Sequence, residues 1–172
     1  MIRRIYERLL QYRILRANLP RCVAVVLGSA DLSREGLNRF CQLLDWSRSI
    51  GLSTLILYVS DDQPRLCPIL KEFLASYPAQ ISLHTADDVV LTGTGGPLKV
   101  DISLGYGGKK EVVEAFRSIL LKVEEGSIEG DGIDEKTIES HLRFSQKPDL
   151  VIRAGGKRLS DFMIWQAAYS EL

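Results

Sequence analysis

The sequence has little that would hold a small extracellular fold together. Its three cysteines, Cys22, Cys41 and Cys67, are odd in number, far apart and without C-x-x-C spacing. That excludes a disulfide framework or a cysteine zinc site and suits thiols kept reduced. No apolar run reaches the length of a signal h-region or a membrane span, so a cytoplasmic protein is expected. Neither sign of charge is in excess: 22 basic side chains face 22 acidic ones. No global field therefore favours nucleic acid or a membrane surface, and an anion site must arise from local placement. Repeats and low-complexity tracts are also missing. What remains is ordinary, with 45% apolar and 26% charged residues in 172 positions. Such a chain can bury the core of one domain without staples.

Residues 1–20 are rich in arginine, and Ile5, Leu9, Ile14 and Leu15 can share one helical stripe. A basic helix is predicted there, either packed on the domain or a partner, or touching a lipid surface as a peripheral contact. The single domain is expected over 21–172.

Strands are predicted at 23–27 (VAVVL), 54–59 (TLILYV), 81–84, 99–104 and 150–152. The first two are unbroken apolar runs and the other three weaker versions; such runs suit strands buried on both faces, the habit of parallel sheets. Helical spacing puts Phe40, Leu43, Leu44 and Ser47 on one face over 37–50. It groups Val112, Phe116, Ile119, Leu120 and Val123 over 109–123. A further helix is expected after Asp134, whose side chain can cap it. A last one is expected from Asp161 onward, with Phe162, Trp165, Ala168, Tyr169 and Leu172 on one side. Strands alternating with helices predict an α/β fold with a mostly parallel central sheet flanked by helices.

Two glycine clusters differ in meaning. Residues 93–97 (GTGGP) match no phosphate-loop pattern and precede a strand, so they read as a turn. Residues 105–108 (GYGG) join a strand to a helix, where glycine permits a tight turn or the close approach of a ligand.

The most informative stretch is 149–172, DLVIRAGGKRLSDFMIWQAAYSEL. A strand ends at Arg153, passes Gly155 and Gly156, presents Lys157 and Arg158, and enters the expected helix at Ser160. Ligand sites of open α/β sheets form outside the carboxyl ends of strands. Two guanidinium forks, a hydroxyl and a helix start at such a place make a diphosphate clamp. The alternative is a pair of surface arginines held by carboxylates such as Asp149 or Asp161.

This stretch resembles the C-terminal signature of the cis-prenyltransferases, the undecaprenyl diphosphate synthase family. There a D-L-x-I-R-T-G-G segment precedes R-x-S, F-L-x-W-Q and Y-x-E. Here Asp149 to Arg153 match the first part, Arg158, Leu159 and Ser160 the second, Phe162, Trp165 and Gln166 the third, and Tyr169 and Glu171 the last. The loop has Ala154 for threonine and one residue fewer before Arg158. Residues 105–115 are similar to the family's N-Y-G-G-R-x-E-I segment, and 132–135 to its I-D-E helix start. The resemblance implies repeated cis-condensation of isopentenyl diphosphate onto an allylic diphosphate with Mg2+. It implies that Arg153, Arg158 and Ser160, with Gly155 and Gly156, hold the isopentenyl diphosphate, and that Glu171 is linked to the metal.

The first family motif is different. Where H-V-A-x-I-M-D-G-N-x-R places its metal-binding aspartate, this chain has Gly28. Asp31 lies three positions on, with Arg34 beyond it, and metal geometry tolerates little displacement. Of the motif after the second strand, Tyr58 remains. Asp61 and Asp62 could bind a metal or simply solvate the loop. No R-x-G tail follows before Leu172. An isopentenyl half-site kept beside an allylic half-site lost resembles the non-catalytic subunit of heteromeric cis-prenyltransferases. The expected partner is thus a catalytic paralogue in a heterodimer, inactive without it, making a polyprenyl lipid carrier. The alternatives are a divergent homodimeric synthase using Asp31 or Asp61, and a prenyl-diphosphate-binding scaffold without enzymatic activity.

Overall fold

The computed structural model describes residues 19–28, 32, 34–60, 65–153 and 161–171. The basic segment expected at 1–20 lies almost wholly outside them. So do Asp31, Asp61, Asp62, Gly155, Gly156, Arg158, Ser160 and the side chain of Arg34.

In chain order the elements are β1 (Cys22–Leu27), α1 (Arg34–Ser49), β2 (Thr54–Val59), α2 (Leu66–Leu74), β3 (Gln80–His84), β4 (Val89–Thr92), β5 (Lys99–Leu104), α3 (Gly108–Glu124), α4 (Glu135–His141) and β6 (Leu150–Arg153). They build one sheet in the order β4-β3-β5-β2-β1-β6. All neighbours pair in parallel except β3 with β4. This is the expected α/β architecture.

Burial on both faces explains why β1 and β2 are nearly continuous apolar runs, whereas β5 (KVDISL) is apolar on one face and buries Asp101 and Ser103 on the other. Val23, Val25, Leu55, Leu57, Val100 and Ile102 pack on one side with Phe40 and Leu44 of α1 and Leu70 and Leu74 of α2. Ala24, Val26, Ile56 and Tyr58 pack on the other with Tyr106, Phe144, Phe162 and Met163. Ser47 completes the predicted face of α1, buried with its hydroxyl bonded to the Leu43 carbonyl at 2.8 Å. Asp134 caps α4 in a capping box with Thr137, and 93–97 form the turn between β4 and β5.

Three local expectations are corrected. The antiparallel strand β4 and the helix α2 were not foreseen: VVLT is too short to show a period, and the helix begins beside Pro68, tolerated there because first-turn N–H groups lack intrahelical partners.

Helix α3 turns a different face inward. Gly108, Glu111, Ala115 and Ile119 are buried, while Phe116 and Leu120 stay exposed with Val113 and Leu121. Apolar residues surround this helix, so spacing alone left its orientation open. The close seat of Gly108 on a neighbouring segment sets it instead.

The end of the chain is not an α-helix within the described residues. Turns over 161–165 lead to a single 3-10 turn, Gln166–Tyr169, and Glu171 then pairs with Leu150 as a bridge. Met163 adopts φ 49°, a left-handed value that stops helix propagation. Phe162 is consequently core, and Tyr169 is 97% exposed.

Candidate active site

The central strands end together. Leu27 is opposite Val59, and Val59 is opposite Leu104, so Gly28, Ser60 and Gly105 leave the sheet along one edge. Arg153 reaches the same edge from β6, opposite Val26 and two residues short of Gly28. Arg153 is exposed, and among the described residues no ion pair holds it. The carboxylates proposed as its alternative partners are engaged elsewhere. Asp149 Oδ2 accepts from the backbone N–H groups of Arg21 (2.7 Å) and Cys22 (2.9 Å). Asp161 Oδ1 accepts from the Tyr58 hydroxyl at 3.2 Å.

Beyond the arginine loop the chain returns at Asp161 and is held against the 105–108 turn. Gly108 N–H donates to the Asp161 carbonyl at 2.6 Å. A Cβ on Gly107 would stand 2.3 Å from Asp161 Oδ2, and one on Gly108 would stand 2.4 Å from the Asp161 carbonyl oxygen. These two glycines therefore admit the protein's own chain, which answers the question that the motif alone left open. Phe162 then stacks on Tyr58, with ring centroids 4.6 Å apart, and meets Phe144 edge-on at 6.0 Å.

Behind this contact lies a buried polar triangle. Glu111 Oε1 accepts from Phe144 N–H at 2.7 Å, and its Oε2 accepts from Gln166 Nε2 at 3.0 Å. Gln166 Nε2 also donates to the Phe144 carbonyl at 2.7 Å. Burial pushes the Glu111 carboxyl above its ordinary range, and these hydrogen bonds pull it back in part. Glu111 was missed in the sequence as a site-building residue. The available signal was a carboxylate three positions after Gly108, in line with Ala115 and Ile119.

A second cluster fixes the turn from outside. The Tyr106 hydroxyl donates to Glu114 at 2.6 Å, and the Arg143 guanidinium lies 4.0 Å from the Tyr106 ring centroid. Burial, then the bond to Glu114, raise the Tyr106 phenol above its ordinary value.

Glu171 is not brought to this edge. Its backbone pairs beside Leu150, at the amino end of β6, with Val151 N–H donating to its carbonyl at 2.8 Å. No group of three histidine, cysteine, aspartate or glutamate side chains among the described residues could hold a metal ion. Gly28 offers no carboxylate and Asp161 is committed to Tyr58. The described residues thus do not fit the Mg2+ that the family resemblance implies.

Comparison with known proteins agrees with this architecture. Residues 74–172 match the family described as "Putative undecaprenyl diphosphate synthase". The chain is 30% identical to the (2Z,6E)-farnesyl diphosphate synthase of Mycolicibacterium smegmatis, over 98% of this chain and 83% of that protein. It is 27% identical to the geranylgeranyl-diphosphate-specific tritrans,polycis-undecaprenyl-diphosphate synthase of Methanocaldococcus jannaschii, over 98% of this chain and 78% of that one. Both alignments run over 219 positions, more than the chain contains, so these relatives carry internal segments that it lacks. Among solved structures, lavandulyl diphosphate synthase from Lavandula x intermedia superposes with a TM-score of 0.66 at 26% identity, covering 88% of this chain and 85% of that one. The chain belongs to the undecaprenyl diphosphate synthase family of prenyltransferases.

Proposed function

We propose that the protein is a subunit of a heteromeric cis-prenyltransferase that elongates an allylic diphosphate with isopentenyl diphosphate to a polyprenyl diphosphate lipid carrier. Arg153, Arg158 and Ser160, with the backbone at Gly155 and Gly156, hold the diphosphate of isopentenyl diphosphate. The metal-binding carboxylate, and the Mg2+ with it, come from a catalytic paralogue.

One observation carries this reading: Arg153 and Gly28 share the carboxyl edge of adjacent strands. The cation suited to a diphosphate is present there, and the strand end beside it offers no carboxylate. Family membership gives the edge its chemistry, since the relatives named above are synthases of prenyl diphosphates. Exposed Val113, Phe116, Leu120 and Leu121 leave α3 with an apolar surface available to a partner. Among the described residues no helix is long and apolar enough to cross a membrane. Contact with lipid, where the product belongs, is then peripheral, from a cytoplasmic position.

The experiment is an elongation assay with isopentenyl and farnesyl diphosphates on the chain alone, on a paralogue that keeps the first-motif aspartate, and on the two together. Elongation that rises on mixing supports a subunit. Full turnover by this chain alone favours a divergent homodimeric synthase, and no response in any mixture favours a binding scaffold.

A further inference from the structure

The face of the sheet that carries α1 and α2 is unevenly covered. These helices seal its centre, where Leu55, Leu57, Leu83 and Ile102 are no more than 1% exposed. At the edge, Ile152 of β6, level with Val25 in the ladder, is 43% exposed, and Trp46 of α1 is 38% exposed. Both line a groove of about 220 Å³. Its floor is the cross-strand neighbours Val23 and Leu150, then Val25 and Ile152, and its wall is Leu43, Trp46 and Ile50. Ser47, the polar residue of that wall, donates its hydroxyl to the Leu43 carbonyl at 2.8 Å. A ligand with a polar group therefore finds no free side-chain partner in the lining.

The shape suits a helix. Leu43, Trp46 and Ile50 are spaced by three and four residues, the stripe that one helix presents to another. In a layered α/β fold each sheet face is closed by helices packed side by side, and a further helix beside α1 would lie over β6. Filling the groove stabilises by about 25 cal/mol for each Å² of apolar surface removed from water.

The chain itself leads to this seat. Leu19 and Pro20, the first described residues, belong to the lining of the groove. Arg21 is tied down just after them: its N–H donates to Asp149 Oδ2 at 2.7 Å, and its carbonyl accepts from Thr54 N–H at 3.0 Å. Whatever precedes Leu19 is thereby tethered at the groove. Of the stretches outside the described residues, 1–18 is the longest, and the next, 154–160, leaves from the far, carboxyl end of β6. Within 1–18, Ile2, Ile5, Leu9 and Tyr12 recur at spacings of three, four and three, on one side of a helix with Arg3 and Arg4 opposite. As a helix, residues 2–12 would be about 16 Å long. Residues 13–18 can span about 20 Å, enough to turn that helix back along the groove.

We propose that residues 2–12 of this chain seat in the groove between α1 and β6, with Ile2, Ile5, Leu9 and Tyr12 inward and Arg3 and Arg4 toward solvent. Of the placements open to the basic segment, this selects packing on the domain over a partner or a lipid surface. Tethering makes the contact intramolecular, with an effective concentration on the order of millimolar, so modest apolar burial suffices. The inference is independent of the reading of the arginine loop.

The test uses the full chain with Trp165→Phe, which leaves Trp46 as the sole tryptophan. Acrylamide quenching of Trp46 and amide hydrogen exchange over 2–12 are measured in this background, and again with Leu9→Asp or Ile152→Asp added. Docking predicts that the amides of 2–12 are protected about tenfold or more relative to an unstructured chain. Leu9→Asp should raise the quenching of Trp46, and Ile152→Asp should abolish the protection. Either variant decides the matter where the other fails to fold. Unprotected amides, with quenching indifferent to Leu9→Asp, overturn the inference. Protection that arises only with phosphatidylglycerol-containing vesicles overturns it in favour of a lipid surface. Protection that grows with protein concentration overturns it in favour of a second copy.

Discussion

Arg153 stands directly opposite Val26 in the parallel ladder between β6 and β1, which puts its guanidinium stem two residues from the level of Gly28. A cation suited to phosphate and a strand end without a carboxylate are thus neighbours on one edge. A charge-assisted hydrogen bond contributes about 1.5–3 kcal/mol. Arg153→Ala and Arg158→Ala should therefore each weaken isopentenyl diphosphate binding by roughly ten- to a hundredfold. Titration calorimetry checks this, and unchanged affinity in both variants would reduce the pair to surface arginines.

The chain alone should show no elongation above background with Mg2+ present. On the proposed reading Gly28 stands in place of the first-motif carboxylate, which would leave the charge developing on the departing diphosphate unneutralised. Incorporation of labelled isopentenyl diphosphate measures this. Turnover that vanishes on Asp31→Ala would point to the homodimeric enzyme instead.

The parallel core was legible because β1 and β2 are buried on both faces and read as nearly unbroken apolar runs. The place of Arg153 was legible too, since it follows the short apolar stretch Leu150 to Ile152 and ends β6. The final segment was not. Its apolar spacing fits a helix, but Met163 takes a left-handed conformation and Phe162 turns onto Tyr58. That outcome depends on a tertiary partner, and local periodicity does not report it. The seat of α3 was hidden for a related reason. Its inward face is chosen by Gly107 and Gly108 against Asp161, residues more than fifty positions apart.

Those glycines lead to a graded expectation. On Gly108, an added Cβ meets the Asp161 backbone oxygen at 2.4 Å and the Ile164 nitrogen at 3.0 Å. On Gly107 its three nearest atoms all belong to the Asp161 carboxylate, which can swing away at the cost of its bond to Tyr58. Gly108→Ala should destabilise by about 1–3 kcal/mol, and Gly107→Ala by less. Gly130→Ala, with nothing within 4 Å of the added Cβ, should be close to neutral. Urea unfolding of the three variants ranks them.

Glu111 gives a pH signature. Its folded-state pKa lies above the ordinary value of 4.5 because of burial. The stability linked to its proton is fully present below that value and is lost as pH rises through the folded pKa. Relative to Glu111→Gln, wild type should therefore lose melting temperature as pH is raised from 4.5, then run parallel to the variant at higher pH. Parallel curves over the whole range would mean that the carboxyl titrates normally.

The central claim is that this chain works as one half of a mixed complex. Its most direct test is co-expression with a first-motif-intact family member from the same source, followed by measurement of stoichiometry and prenyl elongation on the purified material. A stable one-to-one complex is predicted, with elongation that falls when Arg153→Ala is introduced into this chain. A monodisperse homodimer that ignores the paralogue, and elongates isopentenyl diphosphate unaided, would contradict it.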